Sequence, residues 1–443
     1  MAVEEVQLWQ TVAPVDFSPK AGSNSEAQAL LISTRQNPGY AVASGQVSHA
    51  IQSRATHVLM DYSQSACAIR YQIDGSWESL PPIDRETGDG MLYALKQLCH
   101  LNPADRRTAQ SGSVTAKLAK EKFEVKLQSQ GVPTGERVLV KLDSHKVPFE
   151  TMADLGMRDN MITQFKEKLN EEQSLILVTS PKGQGLTTTW NVAMNVADKF
   201  IRDFQSFEDQ SSPEPEVINV TANFFGGDTG QTEISLLQKM LLKEPDVMVF
   251  PEMPEPDTLE LAMGQVENLE KQVITRMVAG SAIAGLTEML SRYSDQRKSI
   301  AKHLGGVLGQ RLVRRLCENC KVGYEPSPQL LQQLGIPPGR VAMLYQPFVL
   351  PPPEQQVDEN GNPAPMEPCP HCNGRGFLGR VAIFEWLVPG ENLRKAMETT
   401  QDAGQLAAAA KADGHRNLQG EAVMTVARGL TSLDELKRAF AKG

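Results

Sequence analysis

The sequence predicts an α/β protein in which a mainly parallel sheet is covered by helices. Three strand-like apolar stretches, LILVTS, EVINVTA and DVMVFPE, alternate with helical segments in the middle of the chain. This alternation is typical of a parallel sheet, because each crossover between parallel strands has room for a helix. A Gly- and Thr-rich turn directly after the first strand and two C-x-x-C pairs further on are the other two informative features.

The composition indicates a globular protein of two or three domains. The chain has 443 residues, of which 40% are hydrophobic, and a formal net charge of -9. We expect no nucleic-acid partner, since such binding needs a basic surface. No stretch approaches the roughly 18 apolar residues of a membrane-spanning helix, and the N-terminal residues lack the pattern of a signal peptide. These patterns predict a cytoplasmic protein.

Five segments can be distinguished along the chain. Residues 1–46 are polar and are expected to be a flexible N-terminal segment, and residues 47–145 mix helical and strand-like patterns, as in a small α+β subdomain. The α/β core is expected over residues 150–316. A cysteine module with a Pro-rich loop follows over residues 317–380, and a helical C-terminal subdomain over residues 381–443.

The segment LILVTSPKGQGLTTT (175–189) has the layout of a phosphate-binding loop but lacks the lysine of that motif. In the pattern G-x-x-x-x-G-K-[ST], backbone N–H groups surround the phosphates, the lysine contacts them and the hydroxyl binds Mg²⁺. Ser180 stands at the first glycine and Gly185 at the second. Leu186 occupies the lysine position, and Thr187 supplies the hydroxyl.

If the loop binds nucleotide, the residues predicted to do so are Lys182, Gly183, Gly185, Thr187 and Thr188. Their backbone N–H groups at a helix N-terminus suit an anion. Lys182 is a candidate substitute cation, because a flexible ammonium group a few residues earlier can turn toward the phosphates. The alternative is an ordinary solvated lysine. The sequence therefore leaves ATP and Mg²⁺ open as cofactors.

Four of the six cysteines form two pairs, Cys317/Cys320 and Cys369/Cys372. Two tight C-x-x-C turns supply the four thiolates of a tetrahedral zinc site, and in a cytosolic chain such pairs more often bind zinc than form disulfides. Zn²⁺ is therefore the predicted metal of an insertion with four cysteine ligands, with the Pro-rich segment between the pairs looped out. Two unrelated thiol pairs are the alternative.

Taken in order, several segments resemble the type II secretion and type IV pilus assembly ATPases. They are IRYQIDG (69–75), ADRRTAQSG (104–112), GERVLVKL (135–142), the loop, LLKEPDVMVFPE (241–252), QRLVRRLCENC, CPHCNGRGFLGRVAIFEWL and GLTSLDEL. The resemblance implies a RecA-like P-loop NTPase core preceded by a PAS-like subdomain. It also implies a hexameric ring of like or unlike subunits, bound to secretion or pilus platform proteins at the inner face of the cytoplasmic membrane.

The chain departs from the chemistry that the resemblance implies. The Walker B glutamate, which polarises the attacking water in the family, corresponds to Glu252 and is retained. The histidine box falls on TRMV (275–278), with Val278 at about the histidine position. The acidic box is expected at TANFF (221–225), which has no carboxylate, and two family arginines are replaced by Lys126 and Lys141.

Two functions are compatible with these observations. Loss of the loop lysine and of a phosphate sensor should lower the hydrolysis rate by several orders of magnitude, since phosphoryl transfer depends on positioning and electrostatic stabilisation. The favoured function is therefore a family member without turnover that acts as a structural or regulatory subunit. The alternative is a slow assembly motor that uses Lys182 or a cation from a neighbouring subunit. Glu252 is then either a catalytic residue or an inherited polar residue beside an unused cleft.

Overall fold

The computed structural model describes residues 7–144, 149–356 and 364–441. The chain divides into a first unit up to residue 148 and a second unit from residue 149. The predicted domain boundary at residue 145 and the central part of the Pro-rich loop lie outside the described residues.

The first unit is an antiparallel sheet packed against helices. Its strands follow the order β1-β6-β7-β8-β2-β3-β4, and β5 pairs with β3. The elements are β1 (Asp16–Pro19), α1 (Asn24–Arg35), α2 (Gly39–Gln52), β2 (Ala55–Tyr62), β3 (Ala66–Ile73), β4 (Ser76–Ser79), β5 (Ile83–Asp84), α3 (Arg85–Leu98), β6 (Gln110–Leu118), β7 (Glu121–Val132) and β8 (Gly135–Ser144).

The core of the first unit lies between one face of this sheet and helices α2 and α3. Side chains alternate between the two faces of a strand, so Val125, Val138 and Val140 enter the core while their neighbours face outward. Met91 and Leu95 of α3 belong to the same cluster of buried residues. The α+β character predicted for this part of the chain is thus present in the structure.

Regular structure begins earlier than the sequence predicts. The segment 1–46 is expected to be flexible, yet its described part contains β1, α1 and the start of α2. Helix α1 begins with a capping box, in which Ser23 Oγ accepts from the Glu26 amide and the Glu26 carboxylate accepts from the Ser23 amide. Only Thr34 of α1 is fully buried, while Ala27, Leu30 and Leu31 are partly buried on the same face. This short apolar stripe lies in a segment that is otherwise polar, and the polar composition led to the prediction of a flexible segment.

The second unit is a seven-stranded sheet in the described residues, with the order β11-β10-β12-β13-β9-β14-β17. All neighbours are parallel except β14 and β17. The elements up to the last long strand of the parallel part are α4 (Asp159–Leu169), β9 (Ser174–Ser180), α5 (Leu186–Val196), β10 (Phe204–Asp209), β11 (Val220–Phe225), α6 (Glu233–Leu241), β12 (Val247–Phe250), α7 (Pro256–Leu269), β13 (Gln272–Val278), α8 (Ala282–Arg292), α9 (Arg297–His303) and β14 (Leu304–Leu316).

The remaining elements form the cysteine module and the tail. They are β15 (Val322–Tyr324), α10 (Pro328–Gln333), β16 (Leu344–Gln346), β17 (Phe377–Leu387), α11 (Glu391–Thr399), α12 (Ala403–Ala412), α13 (Leu418–Ala427) and α14 (Leu433–Phe440). Strands β15 and β16 pair with each other in a separate two-stranded sheet.

Helices cover both faces of the large sheet, as the α/β prediction requires. Every residue of β9 is buried, which is expected for a central parallel strand. Phe165 of α4 and Trp190 of α5 lie in the cluster on one face, and Leu237 of α6 and Leu286 of α8 lie in the cluster on the other. The mixed α/β fold is therefore confirmed.

A buried carboxylate on β17 links two helices of the second unit. Glu385 is 1% exposed, and its two oxygens accept from the amides of Ala282 (2.5 Å) and Leu418 (2.9 Å). These amides open α8 and α13, and a negative charge is favourable at a helix N-terminus. Glu385 thus joins α8 and the C-terminal helix α13 to the sheet.

We find no helix in the described ranges that combines the length and the apolar character needed to cross a bilayer.

Candidate functional site: a loop without its lysine and a four-cysteine cluster

The turn between β9 and α5 has the backbone shape that its two glycines predict. Gly183 and Gly185 have φ angles of 73° and 87°, which glycine adopts without steric cost. The amide of Gln184 closes the turn on the carbonyl of Pro181 at 3.1 Å. A strand, a tight turn and a helix therefore follow one another where the sequence predicts them.

The interior of this turn is held by the chain's own amide side chains. Gln310 on β14 donates from Nε2 to the carbonyl of Gln184 at 2.7 Å, and its Oε1 accepts from the hydroxyl of Thr189. The side chain of Gln184 accepts in turn from the amide of Leu312 at 3.0 Å. Neither glutamine was predicted to take part in the site, since nothing local indicates that a residue on β14 reaches the loop.

The candidate nucleotide-binding residues surround the start of α5. The amides of Leu186, Thr187 and Thr188 belong to the first helical turn, where N–H groups have no intrahelical acceptor. Lys182 and Thr187 are exposed or partly exposed, while Leu186 is partly buried against the apolar cluster that contains α5. The loop therefore fits a single anion through its backbone, but it lacks the fixed cation that a magnesium–triphosphate needs.

Glu252 lies just beyond β12 at the carboxyl edge of the sheet. Its side chain is exposed, and its backbone carbonyl accepts a 3.3 Å hydrogen bond from Thr275 Oγ1 on β13. The neighbouring residue Pro251 is buried. Glu252 thus occupies the edge at which a Walker B glutamate is expected, and within the described ranges no hydrogen bond or ion pair orients its side chain.

Acidic residues beside β12 are present, contrary to the expectation from residues 221–225. β10 is the direct parallel neighbour of β12 and ends in Glu208 and Asp209. Glu208 is 6% exposed and accepts from Ser206 Oγ (2.6 Å) and from the amide of Glu214 (2.9 Å). The acidic segment was expected on the next strand, although the run FQSFED (204–209) already carries these carboxylates.

Strand β13, on which the histidine box is expected, carries Val278 and Arg276 instead of a histidine that could contact a phosphate. Val278 pairs with Ser180 at the start of the loop and is 59% exposed, so an apolar side chain lies where the resemblance predicts a histidine. Arg276 points to Glu214, with Nη1 and Oε2 2.9 Å apart, and its guanidinium lies 5.2 Å from the ring centre of Trp190. The guanidinium of Arg276 is therefore already engaged in an ion pair and a cation–π contact within the chain.

The lysines at two family arginine positions are also paired within the first unit. Lys126 Nζ lies 3.1 Å from Glu124, and Lys141 Nζ lies 2.9 Å from Asp143. Both lysine side chains are about half exposed, so these pairs stabilise the unit only weakly.

The four cysteines of the two pairs meet in one cluster. All four Sγ atoms lie within 4.8 Å of one another, with Cys317–Cys369 at 4.0 Å and Cys320–Cys372 at 3.7 Å. Zn–S bonds of about 2.3 Å in a tetrahedron place sulfur atoms about 3.8 Å apart. The cluster therefore fits a closed structural zinc site with four thiolate ligands.

Backbone amides beside the cluster stabilise the thiolate form of Cys369. Hydrogen bonds from the amides of Cys372 and His371 lower the pKa of the Cys369 thiol to about 7. Burial raises the pKa of Cys317. A bound metal would hold all four groups as thiolates, because a metal ligand must be deprotonated.

The cluster is attached to the sheet and to the C-terminal tail. The amide of Cys317 donates to Gly376 O (3.0 Å), and that of Leu316 donates to Leu430 O (2.9 Å). Lys321 Nζ donates to the carbonyl of Gly429 at 3.1 Å. Cross-linking the four thiolates would thus fix the ends of β14 and β17 and the turn before α14.

Comparison with known proteins gives the class to which this fold and these sites belong. The chain belongs to the family described as type II/IV secretion system protein, whose sequence profile matches residues 35–438. The match covers both units.

The individual relatives are moderately similar. The chain is 25% identical over 393 residues to the type IV pilus assembly ATPase PilB of Thermus thermophilus, covering 88% of this chain and 42% of that protein. It is 26% identical over 425 residues to the protein transport protein HofB homolog of Escherichia coli, covering 95% and 85%. It is 25% identical over 425 residues to the type II secretion system protein E of Xanthomonas campestris, covering 94% and 70%.

Solved structures show the same fold at low sequence identity. The ATPase DotB of Legionella pneumophila superimposes with a TM-score of 0.57 at 11% identity, covering 90% of this chain and 95% of that one. The pilus retraction motor PilT with bound ADP superimposes with a TM-score of 0.50 at 16% identity, covering 89% of this chain and 95% of that one.

Proposed function

We propose that this chain is a catalytically impaired member of its family and serves as a structural or regulatory subunit of a secretion or pilus-assembly machine. The names of its relatives support the kind of machine, since they include pilus assembly ATPases and type II secretion proteins E. In this proposal the chain assembles into a homo- or hetero-oligomeric ring in the cytoplasm and contacts platform proteins at the membrane.

The main observation in support is the loop itself. Leu186 replaces the lysine, and Gln184 and Gln310 hold the turn in place through bonds to the chain's own groups. Phosphoryl transfer depends on cations that stabilise charge on the transferred group. Without a fixed cation at the loop, the exposed Glu252 has no positioned phosphate against which to orient a water.

A structural role for zinc accompanies this proposal. When bound, zinc would supply cross-linking of four thiolates and no chemistry. Because the ligand set is complete, no position is open for a water or a substrate. The cluster would then stabilise the end of the second unit regardless of nucleotide.

Equilibrium binding of a fluorescent ATP analogue with Mg²⁺ to the zinc-loaded chain, followed by a phosphate-release assay, tests the proposal. We expect no saturable binding at millimolar nucleotide and no turnover. Tight binding that is lost in Lys182→Ala, retained in the matched surface variant Lys166→Ala and coupled to phosphate release would overturn the proposal in favour of an active motor. Turnover that arises only at high protein concentration and is abolished by Glu252→Gln would indicate a cation from a neighbouring subunit.

A further inference from the structure

Strand β11 is the last strand of the large sheet, and one of its edges has no partner strand among the described residues. The amide of Gln210 donates to the carbonyl of Phe225 at 2.9 Å, so Phe225 directs its backbone polar groups toward β10. Successive residues of a strand direct these groups to opposite edges. Ala222 and Phe224 therefore direct theirs to the free edge, where they can pair with another strand.

Exposed apolar side chains lie at the amino ends of β10 and β11. Phe200 and Ile201 precede β10, and Ile218 precedes β11, with exposures of 79%, 80% and 73%. Because Phe204 pairs with Val220, the two segments lie side by side at the amino ends of their strands. Exposed apolar residues at the start of an edge strand are typical of an interaction site.

A cavity of about 320 Å³ lies between α5 and the face of β11 that carries Val220, Ala222 and Phe224. Val220, Ala222 and Phe224 form one wall, and Trp190 and Met194 of α5 form another. No helix of the described chain fills this space between α5 and the edge strand. A side chain from a strand added beside β11 would enter the cavity, since alternate side chains of neighbouring strands share one face.

The cavity favours a positively charged side chain. Three carboxylates line it, from Glu208, Glu214 and Glu216. Glu214 pairs with Arg276, whereas Glu216 is exposed and has no cation partner among the described residues. A lysine or arginine can place its aliphatic stem against Trp190 and its charge beside these carboxylates.

We propose that the free edge of β11 binds an extended segment of a partner protein by strand addition, with a lysine or arginine of that segment in the cavity. In strand addition, main-chain hydrogen bonds provide affinity and the pockets for alternate side chains provide specificity. This inference goes beyond the proposed function, because it involves neither nucleotide nor the metal.

The probe is a fluorescein-labelled peptide of about nine residues, a common strand length, with alternating valine and threonine and a central lysine. Anisotropy titration with the full chain should show saturable binding. A peptide with central glutamate, and one with the lysine but N-methylated at alternate amides, should bind at least about tenfold more weakly, a loss of about 1.4 kcal/mol. Equal binding of the N-methylated peptide, or no saturable binding of the lysine peptide, would overturn the proposal.

Variants of the chain locate the binding to this edge. Ala222→Pro removes a free-edge donor and leaves the bonds to β10 in place, so the chain should still fold. We expect it to lose the lysine peptide, whereas Ala222→Ser, which keeps the amide, should bind normally. Glu216→Gln should weaken only the lysine peptide. Unchanged binding by a folded Ala222→Pro chain would contradict the proposal. Self-association of the original chain in sedimentation that Ala222→Pro abolishes would also contradict the proposal. A second copy of this chain, rather than a partner protein, would then occupy the edge of β11.

Discussion

The side-chain amide of Gln310 donates a 2.7 Å hydrogen bond to the carbonyl of Gln184, in the middle of the turn between β9 and α5. The two residues lie 126 positions apart, so the bond ties the loop to β14, the strand that follows β9 in the sheet order. The turn is thus anchored to a neighbouring strand by side chains of the chain itself.

Restoring the lysine should restore binding without restoring turnover. Leu186→Lys supplies the missing cation, so we expect affinity for a fluorescent ATP analogue with Mg²⁺ to rise at least about tenfold. Phosphate release should remain at background, because Val278 still occupies the sensor position. Leu186→Met, which has similar volume and no charge, is the control. Rapid hydrolysis by the lysine variant would show that the loop cation alone was missing.

Removing the metal should destabilise the end of the second unit. We expect one zinc per chain by elemental analysis, and its loss in Cys372→Ser together with a lower melting temperature, because the metal's binding free energy contributes to folding. Cys99→Ser changes a buried cysteine of the first unit and should keep the zinc. An unchanged metal content in the Cys372 variant would contradict the four-thiolate site.

Breaking the buried ion pair of the first unit should be costly. Lys96 Nζ lies 2.5 Å from Glu136 Oε1, and the two side chains are 0% and 1% exposed. Lys96→Met leaves Glu136 buried and unpaired, so urea unfolding should show a loss of about 3–5 kcal/mol. The double variant Lys96→Met/Glu136→Leu should recover most of it. If Lys96→Met were as stable as the original chain, the ion pair between Lys96 and Glu136 would not form in solution.

Docking of α14 should weaken in acid. Burial disfavours the charged form of Glu435, but hydrogen bonds from Arg438 and Arg314 outweigh it and leave its pKa below the usual value. A carboxyl with a lowered pKa stabilises the fold above its unfolded pKa of about 4.3, and this contribution disappears as pH falls through the folded pKa. The difference in stability between the original chain and Glu435→Gln should therefore be present at pH 7 and shrink below about pH 4. A constant difference across this range would contradict the assignment.

Local patterns in the sequence were sufficient for the second unit and for the cysteine cluster. The strand at residues 174–180 is apolar over most of its length, and its Gly-rich turn is contiguous in the chain, so both could be predicted. The cysteine pairs could be joined because zinc chemistry requires four ligands.

Features that depend on distant contacts could not be predicted. Gln310 reaches the loop only because β14 lies beside β9, which no local pattern records. Helix α1 is mostly exposed, and its short apolar stripe at Ala27, Leu30 and Leu31 lies in an otherwise polar segment. The acidic edge was misplaced because the strand order, in which β10 rather than β11 adjoins β12, is known only from the fold.

The position of Glu385 affects how the second unit unfolds. Its two oxygens accept from the first turns of α8 and α13, so detaching either helix would leave a buried carboxyl oxygen without its amide partner, which is costly. Partial fraying of the tail is thereby disfavoured, and α13 should exchange its amide hydrogens at the same rate as the strands beneath it. The C-terminal helices would then behave as an inseparable part of the sheet rather than as a removable appendage.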